Sequence, residues 1–568
     1  MDAAKPRIAV FAGATATILN SAPLVTSNLA RRAHGLPLLT DEFGEPVRFD
    51  VLRPQRLAKP ATVYVEHLSA HPLEREAADL YAPPDGYLDA RGEFARERRS
   101  DTDIPVMEVV LNPSDGLIPL PYMALQADGS AWEGDSVRPG ASAAESRQPF
   151  YPDASRVFEE IDRLGTDEHG HGSVLHGQAD YDFIRVIPSG GYPTGRSAAA
   201  RTDLGDGDIP PESIWQDYFP YRPYHLRREP PRPLLATLTN RVQRAISSGR
   251  YDGALWLEGS PFIEETIYWL GLLIDSPVPI VACSSPDFPH GTLGAGGDRH
   301  IVDAVRYLRS RIWADDAGLD RVGAVLISSE QIFAARDVQK ADARPGGYVT
   351  TGGHGGIVAT TGEPGDPVLT YTPVWRHTHR SAVRLTALPA SVQGIRREGA
   401  TLTMVEVPIR DAAGDLLPAA IPQVSFHKHA RYQPDDASAD PAVEVELEAR
   451  IARNLSAYPL AGFVVEGGAP YGSSGPSADA ALRRATLCGM PVVRTGRGNA
   501  EGFVSPDRVK LAIAGGNLTA TKARMLLMAC LLRFGALPPA ADPDHPTAAE
   551  IETTERSLAS FQEVFSTH

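Results

Sequence analysis

Ser260 sits in a tight corner, Glu258-Gly259-Ser260-Pro261, between two apolar runs. The first run, residues 254–257, predicts a short buried strand. The second carries Ile263, Ile267, Leu270 and Ile274 at helical spacing, with Glu264 and Glu265 in the first turn, and predicts an amphipathic helix. Asp275-Ser276-Pro277 stops that helix, and a second buried strand is expected over residues 278–283. In an open α/β sheet, small ligands sit in the loop at the carboxyl end of such a strand. That makes Ser260 the candidate reaction site, with Glu258 and Gly259 beside it. A plainer reading makes the corner a helix start, Ser260 as N-cap and Pro261 at the first helical position.

Two other strand ends repeat this placement. Residues 8–11 read as a buried strand that empties into Ala12-Gly13-Ala14-Thr15-Ala16-Thr17, a loop of small residues with two hydroxyls. Backbone can approach a ligand closely there, although a plain turn fits the same residues. Residues 322–328 read as a strand followed by Ala334-Ala335-Arg336-Asp337-Val338-Gln339-Lys340. Lys340 is expected on a loop, where a solvated lysine is the ordinary alternative. His169, His171 and His176 have spacing that can bind metal, but no carboxylate or thiolate pattern completes a set, so no metal is expected.

The elements that must position these residues form α/β units. Helices are expected over residues 232–246, 301–313, 443–455, 477–487 and 521–534, with strands over 424–426, 462–465 and 491–494. Between about 35 and 230 the chain is rich in Pro, Gly, Asp and Arg. Residues 106–111 and 183–187 are strand candidates there, and the fold of that stretch is not assignable from sequence. A chain of 568 residues is too long for one core. The expected division is 1–410 and 411–568.

The formal net charge is −16. That argues against nucleic acid, whose binding needs clustered positive charge. Three cysteines, Cys283, Cys488 and Cys530, lie in apolar surroundings without metal-ligand spacing, which suits a reducing compartment. No signal peptide is read at the N-terminus, and no apolar run reaches membrane-spanning length. A cytoplasmic protein without a membrane partner is expected.

Taken in order, the pieces resemble the bacterial-type asparaginase/glutaminase family. Its H-G-T-D-T and M-E-E-T-A motif is similar to residues 258–267, and its R-D-V-x-K to Arg336-Asp337-Val338-Gln339-Lys340. Its A-D-G-P-x-N-L stretch is similar to residues 295–301, and its T-G-G-T-I loop to residues 12–16. Val465-Glu466-Gly467, residues 489–494 and residues 522–528 have counterparts as well. The resemblance covers about 6–18 and 232–535, so 35–230 reads as an insertion.

The resemblance implies an α/β, two-domain asparaginase-like fold. The larger N-terminal domain would have a parallel or mixed sheet, and the smaller C-terminal domain would also be α/β. It implies cofactor-free hydrolysis of a side-chain amide through a threonine nucleophile and an acyl-enzyme, supported by a second Thr, an Asp and a Lys. By position Thr15 matches the nucleophile, with Thr17 as the fallback, Ser260 the second threonine and Lys340 the lysine. A hydroxyl is a weak nucleophile that needs an adjacent base, and a partly desolvated lysine can be tuned toward that role. Backbone N–H groups of the two Gly-containing loops, at Gly13 and Gly259, are candidate oxyanion donors.

The departures are as informative. Pro261 stands where the family has its Asp, and Glu258 is the nearest carboxylate that could replace it. Gly296 stands for the Asp of A-D-G-P, and Gly468-Ala469-Pro470-Tyr471-Gly472 replaces a polar turn, which puts Tyr471 among the candidate substrate contacts. The expectation is an amide hydrolase acting on a small molecule other than asparagine. The alternatives are a catalytically silent scaffold and an amidotransferase component. The family's assemblies imply a homodimer or homotetramer.

Overall fold

The computed structural model describes residues 5–13, 61–66, 84–89, 93–111, 175, 177–185, 232–284, 296–342, 347–351, 355–362, 366–399, 401–429, 445–468, 471–497 and 503–568. Thr15, Thr17 and His169, His171 and His176 lie outside the described residues.

The chain begins with strand β1 (Arg7–Ala12). The stretch read as an insertion then supplies β2 (Ala61–Glu66), β3 (Gly86–Leu88), β4 (Phe94–Ala95) and β5 (Ile104–Leu111). These form a separate antiparallel sheet in the order β2-β5-β3-β4. The same stretch also supplies β6 (Asp180–Arg185), which pairs parallel to β1. It therefore contributes a strand to the main sheet, which its composition did not foretell.

Helix α1 (Leu234–Ser247) leads into β7 (Gly253–Glu258), helix α2 (Ile263–Leu273) and β8 (Ile280–Ser284), the unit expected around Ser260. Helix α3 (Gly296–Ser310) begins earlier than its apolar pattern suggests, with Gly296 and Gly297 in its first turn. It also stops earlier, where Arg311 takes a left-handed φ of 58°. Next come β9 (Val325–Ser328), β10 (Gln331–Ala334), β11 (Val338–Lys340), β12 (Tyr348–Thr350), β13 (Ile357–Thr360) and β14 (Val368–Leu369). Lys340 thus ends a strand rather than riding on a loop. Its backbone is fixed by pairing with Tyr348.

The main sheet has eight strands in the order β14-β13-β10-β9-β8-β7-β1-β6. From β6 to β9 the pairs are parallel, and β10, β13 and β14 add an antiparallel edge. Alternation sends Ile8, Val10, Leu255, Leu257, Val281 and Cys283 toward α3. Ala9, Phe11, Ala254, Trp256, Ile280 and Ala282 face the core that holds α1 and α2. Burial on both faces explains why the parallel strands read as continuous apolar runs.

A hairpin of β15 (Ser391–Glu398) and β16 (Thr401–Pro408) follows. Then β17 (Gln423–Lys428), α4 (Val445–Ala457), β18 (Ala461–Gly467), α5 (Pro476–Leu487), β19 (Val492–Gly496) and β20 (Ile513–Ala514) build a four-stranded parallel sheet. Helix α6 (Ala520–Phe534) covers its other face. It is not the last helix: α7 (Ala548–Phe565) opens on a capping box in which Thr547 and Glu550 each satisfy the other's backbone N–H. That T-x-x-E signature was present in the sequence. The fold is α/β, as expected, with mixed and parallel sheets. Among the described residues no helix is long and apolar enough to cross a membrane.

Candidate functional site

The corner after β7 is not a helix cap. Helix α2 starts at Ile263 with Phe262 as N-cap, and the Ser260–Pro261 peptide is cis. Ser260 is exposed, and its hydroxyl is engaged elsewhere: the Tyr348 hydroxyl donates to Ser260 Oγ at 2.8 Å. Tyr348 is buried, and its ring lies 4.8 Å from Lys340 Nζ, measured to the centroid. A cation over an aromatic face is attracted by the ring's quadrupole. Ser260 and Lys340, placed on two different strand ends from sequence, therefore meet at one tyrosine. Tyr348 was not among the sequence candidates. It lies across the β11–β12 pair from Lys340, and only strand register, Lys340↔Tyr348, brings the two together.

Helix α2 holds this hairpin. The Lys340 N–H donates to Glu264 Oε2 at 2.5 Å. Glu264 is buried, which raises its carboxyl pKa, while the Lys522 charge pulls it back down. Lys522 reaches in from the first turn of α6 and is fully enclosed. Its Nζ donates to the carbonyl of Ala335 at 2.6 Å and to that of Glu264. Burial pushes its ammonium down to about 8 against the upward pull of Glu264, Glu265 and Asp337. The Arg524–Glu265 ion pair at 2.7 Å adds a second tie between α6 and α2. These acids and cations were visible as motif residues in the sequence, but nothing there gave their pairing.

His300 stands behind Lys340. Its Nε2 accepts from the Ser329 N–H at 2.8 Å, and burial, then the Lys340 charge, lower it to about 4. A neutral imidazole leaves Lys340 without a competing cation at that point. Arg336 and Asp337, the start of the Arg-Asp-Val-x-Lys run, are buried and paired with each other at 2.8 Å. Arg336 lies over Trp375 and donates to the His568 carbonyl at 2.8 Å. The pair fixes the approach to β11.

The other candidates are placed as follows. Glu258 is buried on the Trp256 face of β7, accepting from Trp256 Nε1 at 2.9 Å. Burial raises its carboxyl to about 7 against hydrogen bonds from Trp256 and Thr266. Strand alternation has turned it inward, so its described partners are these rather than Lys340. Gly13 packs directly on it: a Cβ there would lie 2.9 Å from Trp256 Cζ2 and 3.1 Å from Glu258 Cδ. Only glycine lets the first loop leave its strand this close to the carboxyl. Gly13 N–H donates to the Leu257 carbonyl at 2.9 Å, so this amide serves the strand end rather than an oxyanion. The Gly259 carbonyl accepts from the Ile263 N–H at 3.3 Å, which ties the corner to α2. Tyr471 is 54% exposed beyond β18, with Arg508 5.2 Å from its ring centroid. None of its described contacts reaches Ser260 or Lys340. Among the described residues no group of His, Cys, Asp or Glu could hold a metal ion.

No protein-family model matches the chain. Over 110 residues, 19% of the chain, it is 31% identical to an L-asparaginase of Bacillus licheniformis. That match spans 32% of the relative, about a third of its length. Among solved structures, a probable cytoplasmic L-asparaginase from Campylobacter jejuni is 18% identical with a TM-score of 0.41. The likeness covers 59% of this chain and 80% of that one.

Proposed function

We propose that this asparaginase-like chain is an amidohydrolase. It cleaves a C–N amide bond of a small molecule other than asparagine, through a hydroxyl nucleophile and an acyl-enzyme, with Lys340 assisting. The observation that carries the reading is the meeting of Ser260 and Lys340 at Tyr348, with the hydroxyl 2.8 Å from the phenol and the ammonium 4.8 Å from its ring. A serine hydroxyl at a strand end, with a phenol and a cation beside it, has the parts that activation of a weak nucleophile needs. Ser260 is the hydroxyl so placed, and Thr15 is the second candidate.

The substrate side favours an amide less polar than asparagine. An α-ammonium group needs a carboxylate partner, and Pro261 supplies none. Pro261 and the 36%-exposed Phe262 instead give the rim beside Ser260 an apolar character. No cofactor is needed for this chemistry. Assembly as a homodimer or homotetramer belongs to the same proposal, and light scattering reads it directly.

The competing reading is a silent scaffold. It is favoured by Pro261 in the corner and by the engagement of the Gly13 amide with Leu257. Ammonia and amine release from a panel of small amides separates the two. Ser260→Ala is expected to lower kcat/KM by a thousandfold or more, roughly the loss seen when a nucleophile is removed. Lys340→Ala is expected to cost about a hundredfold. If neither these variants nor Thr15→Ala differ from the parent on any amide, the scaffold stands.

A further inference from the structure

Pro261 leaves a vacancy in the chemistry that the rest of the site implies. A serine and a lysine are present, but the corner offers no carboxylate to couple them, and Glu258 is turned inward to Trp256. What stands between them is a phenol. The geometry points to Tyr348 as the acid–base residue of this site: it carries the proton between Ser260 and the leaving nitrogen, and Lys340 stabilises its phenolate. This assignment rests on the amidohydrolase reading and adds to it the residue that does the proton transfer.

Three observations support it. The Tyr348 oxygen is at hydrogen-bond distance from Ser260 Oγ, 2.8 Å, which is the reach required of a general base. Lys340 Nζ lies 4.8 Å from the ring centroid, so negative charge arising on the phenol is opposed by a nearby cation. Both side chains sit on a hairpin whose register and anchoring are fixed, by the β11–β12 pairs and by Glu264 on the Lys340 N–H. A burial that served packing alone would be met as well by phenylalanine, but here the hydroxyl is directed at the exposed serine.

The charged and titratable groups around the pair come from several elements. Lys340 is on Tyr348's own hairpin, with Asp342 at its turn, where the aspartate carboxyl abuts Gly347. Glu264 of α2 holds the Lys340 N–H, Lys522 of α6 is bound to the Glu264 carbonyl, and His300 of α3 is a neutral imidazole near Lys340. Lys340 favours the phenolate, and the burial of Tyr348 and the Glu264 carboxylate oppose it.

The step balances within these groups. In the resting form the phenol donates to Ser260 Oγ. The phenol first loses its proton to solvent water, and the resulting phenolate oxygen accepts the serine proton as Oγ adds to the amide carbonyl carbon. Collapse of the tetrahedral adduct breaks the C–N bond, and Tyr348 returns that proton to the leaving nitrogen. Lys340 keeps its charge throughout. Water then repeats the sequence on the acyl-serine, releasing the acid and restoring the serine.

Two measurements on the full chain test this, with Tyr348→Phe and Lys340→Met beside the parent. The first is the pH profile of kcat/KM on the amide the parent cleaves fastest. Tyr348→Phe is expected to lose about a hundredfold or more, chiefly in kcat, together with the acidic limb of the profile. The second follows phenolate absorbance in an alkaline titration. One phenol is expected to ionise ahead of the others in the parent, to be missing in Tyr348→Phe, and to move by about a pH unit or more upward in Lys340→Met. A Tyr348→Phe rate within about threefold of the parent with the limb intact overturns the assignment, as does superposition of the parent and Tyr348→Phe titrations. If no amide is cleaved, the amidohydrolase reading falls, and the titration alone decides whether Lys340 and Tyr348 are coupled as stated.

Discussion

Glu258 shows what one buried side chain contributes to pH behaviour. Its carboxyl titrates at about 7 rather than 4.5, chiefly because burial disfavours the charge. The folded state therefore holds a proton that the unfolded state has already lost between those values. Stability from this group is full below about pH 4.5, falls as pH rises through about 7, and is flat above it, a total of roughly 3 kcal/mol. Glu258→Gln cannot ionise but keeps an oxygen for Trp256. Relative to the parent, this variant is expected to gain roughly 3 kcal/mol as the pH is raised across that window, measured by urea unfolding. A parent–variant difference that does not change with pH would contradict this. At the same scale, the strand end that carries Ser260 was legible from its apolar run, whereas Lys340, expected on a loop, ends β11. Tyr348 was not legible, because its place depends on pairing across a hairpin that leaves no local pattern. Glu258 looked available in the sequence, and only the strand's alternation, shared with Trp256, shows it turned inward.

Among the elements, α2 bears most on the site. Its first turn carries Glu264, which holds the Lys340 N–H with its carboxylate and Lys522 with its carbonyl, and Glu265, which pairs with Arg524. Trp269 further along donates to Thr239 of α1 at 2.9 Å. Glu264→Ala leaves the Lys340 N–H without its acceptor, and the expected cost is about 1–3 kcal/mol in chemical unfolding, with a matching fall in activity. A change under about 0.5 kcal/mol would show that β11 does not depend on this tie. The helix itself was readable from its 3.6-residue apolar period and acidic first turn. Its ties to α6 were not, since they join side chains far apart in sequence. The two helix boundaries that differ most, those of α3 and the unanticipated α7, differ for local reasons: two glycines inside a first turn, and a capping box in a region without a strong apolar stripe.

At the scale of the molecule, the two large sheets share a core. Buried residues run from Phe11, Trp256 and Leu326 in the eight-stranded sheet, through α2, to Leu526 and Leu527 of α6, and on to Val464 and Val493 in the four-stranded sheet. Truncating Leu526, which is fully buried, by Leu526→Ala is expected to cost about 2–5 kcal/mol. Because α6 lies between the sheets, tryptophan fluorescence and far-ultraviolet dichroism are expected to move together. Separate transitions, with only one of them shifted, would show that the sheets unfold independently. The layered α/β order was legible from alternating strand and helix patterns. The 183–187 candidate overlaps β6, but its place in the main sheet was not legible, because β6 carries Asp180, Asp182 and Arg185 in place of a continuous apolar run.

The central claim is that Ser260 forms a covalent acyl intermediate in a site shared with Lys340 and Tyr348. Its most direct test is intact-mass and peptide-mapping spectrometry after a brief acid quench with an activated amide. The result expected is an added acyl mass on the peptide that contains Ser260, absent in Ser260→Ala and slower to form in Lys340→Ala. No adduct at all, or an adduct that survives Ser260→Ala unchanged, would contradict it.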